Sequence, residues 1–329
     1  MENVMSRVVI GHLKGAESCV VRTCLNFSAG AVSRRCLAGA WVAAVAVWLT
    51  AMPLFAQQDG AKTDRIYDEL TSRGVRVEDG VYVRVPRPEL SDGLTAEGQK
   101  AAIGKILGSD YDYDEFVRKS TVAPVKIRIR EVESGAQVPV RGVDVYFVAY
   151  GRLDDLESKD IYERLAQRGP SGARSVTIDK AAISERGISL HGTESVKEAY
   201  TSVTYPLLDR VEVNVVAHSE WSRTASSLIG AGMVDDRFGS DSEFPNRWRA
   251  LSPGDEDGHR EAKWFPYRGV GYYTKVTALT EPEGALFVES HLVFAEPEGW
   301  FDGANLLRSK LPAVIQDATR NFRRELAKP

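Results

Sequence analysis

Beyond Cys36 the chain has no cysteine; all three, Cys19, Cys24 and Cys36, lie near the start. The bulk of the protein therefore has no disulfide, no thiol nucleophile and no thiolate metal site. Nucleotide-binding loops are absent too: no Gly-rich loop ends in Gly-Lys-Ser/Thr, and strand residues follow the two glycines of "GVGYY" at Gly269 where a phosphate-binding helix would begin. There is no Gly-x-Ser-x-Gly and no His-Glu-x-x-His. Positive charge is scarce as well, with 42 Lys and Arg against 46 Asp and Glu for a net charge of −4. No basic cluster interleaves with aromatics, which excludes nucleic acid as a partner. Nor is there an internal repeat or a low-complexity tract.

One long apolar run is present. Leu37 to Ala56 holds 20 residues without a charge, preceded by Arg34 and Arg35 and followed by "QQDG". The length permits a membrane span. The charged start, the helix-breaking Pro53 and the small residue Ala56 at the exit instead describe a secretory signal peptide, 1–56, cleaved after Ala56. Five of the Lys and Arg but only two of the acids fall in this leader, so the remainder is more acidic still and retains no membrane span. The expected location is exported, periplasmic or extracellular. "SRRCLA" partly matches the twin-arginine motif, which leaves the general and twin-arginine routes both open. The stretch before Ser33 is long for a leader, and Val32 is an alternative start.

Residues 57–108 read as a small N-terminal helix-hairpin-helix module. Thr63 to Ser72 forms a helix, and Val75 to Val85 a hairpin turning at Asp79-Gly80. Thr95 caps a second helix that runs to Leu107 and stops at Gly108. Residues 109–329 read as an α+β sheet domain. Val125 to Arg130 alternates, with Val125, Ile127 and Ile129 inward and Lys126, Arg128 and Arg130 outward. Gly142 to Tyr150 is apolar throughout and belongs centrally in a sheet. A helix is expected over Ser158 to Arg168. Short strands are expected at Glu185 to His191 and Glu198 to Tyr205, and a long one at Arg210 to Arg223. The Asp-, Gly-, Ser- and Pro-rich 235–262 reads as an irregular excursion. Gly269–Leu279 and Ala285–Ala295 form a hairpin. The last helix carries Leu307, Leu311, Ile315, Ala318, Phe322 and Leu326 on one stripe, and Pro312 places its start near Ser309.

Chemistry-bearing residues are few. Strand alternation puts His218 and Glu220 on one face, and Glu289 and His291 on one face of another strand. Were those faces to meet across a cavity, they would offer acid, base or metal ligands of a hydrolase-type enzyme; no spacing among them specifies a metal geometry. The alternative is hydrogen-bonded sheet residues with no catalytic role. Trp221, Trp248, Trp264, Tyr272, Tyr273 and Trp300 are either packing or the wall of an apolar ligand cavity.

The ending "ALFVESHLVFAEPEGWFDGANLLRSKLPAVIQDATRNFRREL" resembles the START-like, helix-grip superfamily, through the turn Glu296-Pro297-Glu298-Gly299 and the striped helix. The resemblance covers residues 185–326 at most and carries over no site residue. It implies a curved antiparallel sheet packed against a long C-terminal helix, with a hydrophobic ligand between them. The leading expectation is an exported protein that binds a hydrophobic small molecule or lipid without catalysis or cofactor, through Trp221, Tyr273, His218 and His291. A structural or interaction protein of the cell envelope is the alternative to that hypothesis and to the enzyme.

Overall fold

The computed structural model describes residues 64–157, 173–193, 196–251, 263–301 and 306–328. The expected signal peptide and the expected helix over Ser158 to Arg168 lie outside the described residues.

The N-terminal elements form where local chemistry dictates. The Asp64 carboxylate accepts from the Tyr67 N–H at 2.8 Å and starts α1 (Arg65–Ser72). Strands β1 (Val75–Glu78) and β2 (Val81–Val83) pair around Asp79-Gly80, with Gly80 at φ +78°. Gly74 precedes them at φ +100°, and a Cβ there would meet the Val83 carbonyl at 2.4 Å, so only glycine fits. Thr95 caps α2 (Ala96–Leu107), which ends at Gly108 with φ +60°. A short α3 (Tyr113–Val117) follows, unforeseen from the sequence and capped by Asp112.

A ten-stranded antiparallel sheet forms the body. Its strands are β3 (Lys126–Val132), β4 (Val140–Tyr150), β5 (Arg174–Thr177), β6 (Val196–Leu207), β7 (Val211–Arg223), β8 (Ser227–Val234), β9 (Arg247–Ala250), β10 (Phe265–Pro266), β11 (Val270–Ala278) and β12 (Ala285–Ala295). The main path runs β10-β9-β7-β8-β11-β12-β4-β3. The other side of β7 pairs with β6, which pairs with β5. Along one edge, β7 takes β9 over its first residues and β8 over its last.

Three local expectations are corrected. Asp179 caps α4 (Lys180–Glu185), and Gly187 at φ +70° follows it, so no strand forms over Glu185 to His191. The 235–262 excursion contains β9, and the Gly-rich "SLIGAGMV" is β8, a central strand. Gly232 in β8 is needed because the Tyr272 ring lies where its Cβ would be, at 2.3 Å from Tyr272 Oη. The final helix, α5 (Leu306–Leu326), begins ahead of Ser309 and runs through Pro312.

The sheet is covered on both faces. On one, Leu307, Leu311, Val314, Ile315, Ala318, Phe322 and Leu326 of α5 join Val143, Val145, Phe147, Val213, Val276, Val288 and Phe294 in one apolar cluster. At roughly 1.5–3 kcal/mol per large side chain fully buried, the α5 residues contribute on the order of 10 kcal/mol before ordering costs. Arg323 is also buried on this helix. Its guanidinium donates to the carbonyls of Val148 (2.8 Å), Ala123 (2.7 Å) and Pro124 (3.1 Å), and burial lowers its pKa to about 10.

The opposite face carries the N-terminal elements. Ile66, Leu70, Val75 and Val77 pack on Ala231, Tyr273, Val293 and Ala295. Ile103, Ile106, Leu107 and Phe116 pack on Tyr146, Val148 and Phe287. Arg128 and Arg130, expected in water, are half-buried beneath this layer.

Candidate functional site

A polar row crosses the face under the N-terminal layer. Register aligns Glu198, Glu220, Ala231, Tyr273, His291, Asp144 and Arg128 on seven consecutive strands. The alternation read from sequence is correct: His218 shares a face with Glu220, and Glu289 with His291. The two pairs do not meet. Between Glu220 and His291 stand β8 and β11, and three strand spacings make about 14 Å. The four residues therefore form no single acid–base centre. Each pair has instead found an acid that sequence reasoning did not single out.

At His291 that acid is Asp144, directly across on β4. His291 Nδ1 lies 2.8 Å from Asp144 Oδ1, and Nε2 lies 3.7 Å from Glu289 Oε2. His291 and Glu289 are 1% and 0% exposed. Burial pulls the His291 pKa down, but the two carboxylates outweigh it and hold the imidazole above its ordinary value. Burial pushes Asp144 up, and His291 and Arg130 together more than reverse that.

These groups clamp the segment joining β2 to α2. Glu289 accepts from the Glu89 N–H at 2.9 Å and the Leu90 N–H at 3.4 Å. Tyr273 Oη donates to the Pro86 carbonyl at 2.7 Å. Tyr146 Oη and Arg128 both donate to Glu89 Oε1. Lys275 Nζ donates to the Leu90 carbonyl at 2.7 Å and lies 2.8 Å from Asp92, which also accepts from Ser227 Oγ. Tyr273 and His291 thus have partners within the fold and are covered by it.

At the other end of the row, Glu198 is the missing acid. His218 Nε2 lies 2.7 Å from Glu198 Oε1, and Tyr200 stacks on the imidazole with ring centres 4.2 Å apart. Burial pushes Glu198 up, but bonds from His218 and the His191 N–H pull it down to about 2. Arg65 grips Glu220 through its backbone N–H at 2.7 Å and its Nε at 3.1 Å. His218 also lines a cleft of about 270 Å³ with Arg73, Arg76, Tyr82, Asp235 and Arg237. Its wall is mixed, with Val75, Met233 and Val234 beside the charged groups.

Of the four residues expected to bind a ligand, only His218 lines this cleft. Trp221 points to the α5 face, since β7 pairs with β6 without a bulge and alternates throughout. The six aromatics likewise scatter. Tyr273 faces the N-terminal layer, Trp264 stacks on Arg247 and Arg249, and Tyr272 lies over Gly232. Trp248 and Trp300 join Tyr267, Phe294 and Phe301 in the apolar cluster that holds Leu307 of α5.

No protein-family profile matches the chain, and no curated protein does. Solved structures do. The human StarD13 (DLC2) lipid transfer and protein localization domain aligns over 61% of this chain and 90% of its own length, at 5% identity and a TM-score of 0.31. Human STARD10 aligns over 65% of this chain and 83% of its own, at 12% identity and a TM-score of 0.31. The likeness is to START domains. The START-like resemblance is weak, and neither ligand nor activity follows from it.

Proposed function

We propose that the protein is exported and binds a hydrophobic small molecule or lipid, without catalysis, between α5 and the sheet. The observation that carries the reading is Trp300. It is 2% exposed and ringed by Tyr267 (5.0 Å between ring centres), Trp248 (5.9 Å) and Phe301 (5.9 Å). Its indole Nε1–H has no acceptor among the described residues. The nearby Tyr267 hydroxyl is already committed to the Ala295 carbonyl at 3.0 Å. A buried donor without an acceptor costs about 1–3 kcal/mol. A ligand with an apolar body and one carbonyl or ester oxygen would remove that cost and occupy an aromatic surface suited to it.

Native mass spectrometry of protein purified from its host, with extracted lipid identified, tests the reading. So does titration with a fluorescent long-chain fatty acid. Trp300→Phe keeps an aromatic ring, though a smaller one, and removes the donor, and should weaken binding about tenfold, the equivalent of about 1.4 kcal/mol. An empty protein that also fails to bind the fatty acid sinks the reading. Export rests on the charge, apolar run and exit residue of 1–56. Fractionation with N-terminal sequencing should find the chain outside the cytoplasm and starting at Gln57. Loss of export on replacing Arg34 and Arg35 with Lys would mark the twin-arginine route.

A further inference from the structure

At the Glu198 end of the polar row one buried oxygen is left over. Asp64 is 1% exposed. Its Oδ1 caps α1, while its Oδ2 has no hydrogen-bond partner among the described residues. The carboxyl sits against Glu220, and burial together with that neighbouring charge pushes it up to about 8. Glu220 is 0% exposed and the Glu198 side chain 2%. Three acids and an imidazole thus share one partly dry spot, and carboxylates are buried only where something neutralises them.

In this structure that something is Arg65. Its Nη2 lies 3.5 Å from Glu198, and its Nε 3.1 Å from Glu220. Yet the Arg65 side chain is 50% exposed, so it can rotate into water without leaving a buried charge of its own. Glu198, His218 and Glu220 each place one ligand atom within 4.8 Å of the others. Ligands about 2.1 Å from one tetrahedral ion lie about 3.4 Å apart, so the widest pair would have to close by at most about 1.4 Å, shared between two side chains. The Tyr200 stack fixes the imidazole plane, and the adjoining cleft gives a path from solvent.

We propose that Glu198, His218 and Glu220 bind a divalent transition-metal cation, zinc or manganese(II), with Arg65 as the cation it displaces. The donor set sets the class. An imidazole among carboxylates suits zinc and manganese better than magnesium or calcium, which prefer oxygen alone. The site lies on the sheet face opposite α5 and does not depend on the hydrophobic-ligand reading.

The test is calorimetric titration of the metal-stripped full chain with manganese(II), zinc and magnesium chlorides, with thermal melts alongside. One equivalent of manganese or zinc is expected, bound at least tenfold more tightly than magnesium and raising Tm. Arg65→Met removes the competing charge and should tighten binding further. The pair of changes His218→Ala and Glu198→Gln should abolish binding in a chain that circular dichroism shows to be folded. If the cluster exists only to seat Arg65, neither the native chain nor Arg65→Met takes up metal. That result overturns the proposal, as does uptake by Arg65→Met alone, or by the folded double variant with unchanged affinity.

Discussion

The same strands present two unlike faces. Toward α5 they show one continuous apolar surface, closed by a helix whose stripe recurs every three or four residues. Toward the N-terminal layer they show smaller apolar clusters divided by a row of charged and hydrogen-bonding groups. Burial of apolar area is strong but indifferent to direction. It fastens α5, whose own periodicity sets its orientation. The segment from Pro86 to Asp92 has no such periodicity and could slide. Its position is set by groups with fixed geometry: the Glu289 carboxylate on two N–H groups, Tyr273 on one carbonyl, Lys275 on another. The apolar face supplies adhesion, and the polar face supplies register.

The largest expected effect tests the apolar side. Phe322→Ala removes a ring packed edge-on against Phe147 at 5.8 Å and should cost about 3–5 kcal/mol in denaturant unfolding, without selective exposure of the segment 84–95. Glu289→Ala should cost about 2–3 kcal/mol, because it strands two buried N–H groups and removes one partner of His291. Unlike Phe322→Ala, it should speed proteolysis within 84–95 more than elsewhere. Equal protection of that segment in both variants would erase the distinction between the faces. Tyr273→Phe deletes one clamp bond and should cost about 1 kcal/mol.

The smallest effect is one of pH. His291 has its pKa raised above the ordinary 6.5 by Asp144 and Glu289. Its contribution to stability is therefore complete below the unfolded value of about 6.5 and is lost as pH rises through the folded value. Unfolding free energy should fall over that window in the native chain, and the drop should vanish in His291→Gln. A native chain flat from pH 6 upward would show that His291 is not held protonated.

Much of this architecture is legible in one dimension because it is local. Period-two alternation gave the β7 faces, Asp79-Gly80 the first hairpin, Thr95 and Gly108 the limits of α2, and the stripe the docking face of α5. The misses have local causes as well. Gly-rich β8 shows no strand pattern, and its Gly232 serves the Tyr272 ring from another strand. Pro312 sits inside a helix whose packed stripe outweighs one lost backbone bond. The four carbonyls gathered around Arg323 come from distant segments, so no sequence pattern reveals them.

What the sequence determined by itself was composition and period: a chain without thiols beyond Cys36, an antiparallel sheet, a C-terminal helix to cover it, and His218 beside Glu220 and Glu289 beside His291. What only the tertiary structure decided was company. Strand order is set by long-range pairing, which no local spacing encodes. It put β8 and β11 between the two pairs, handed His291 to Asp144, brought Glu198 to His218, and set Asp64 against Glu220.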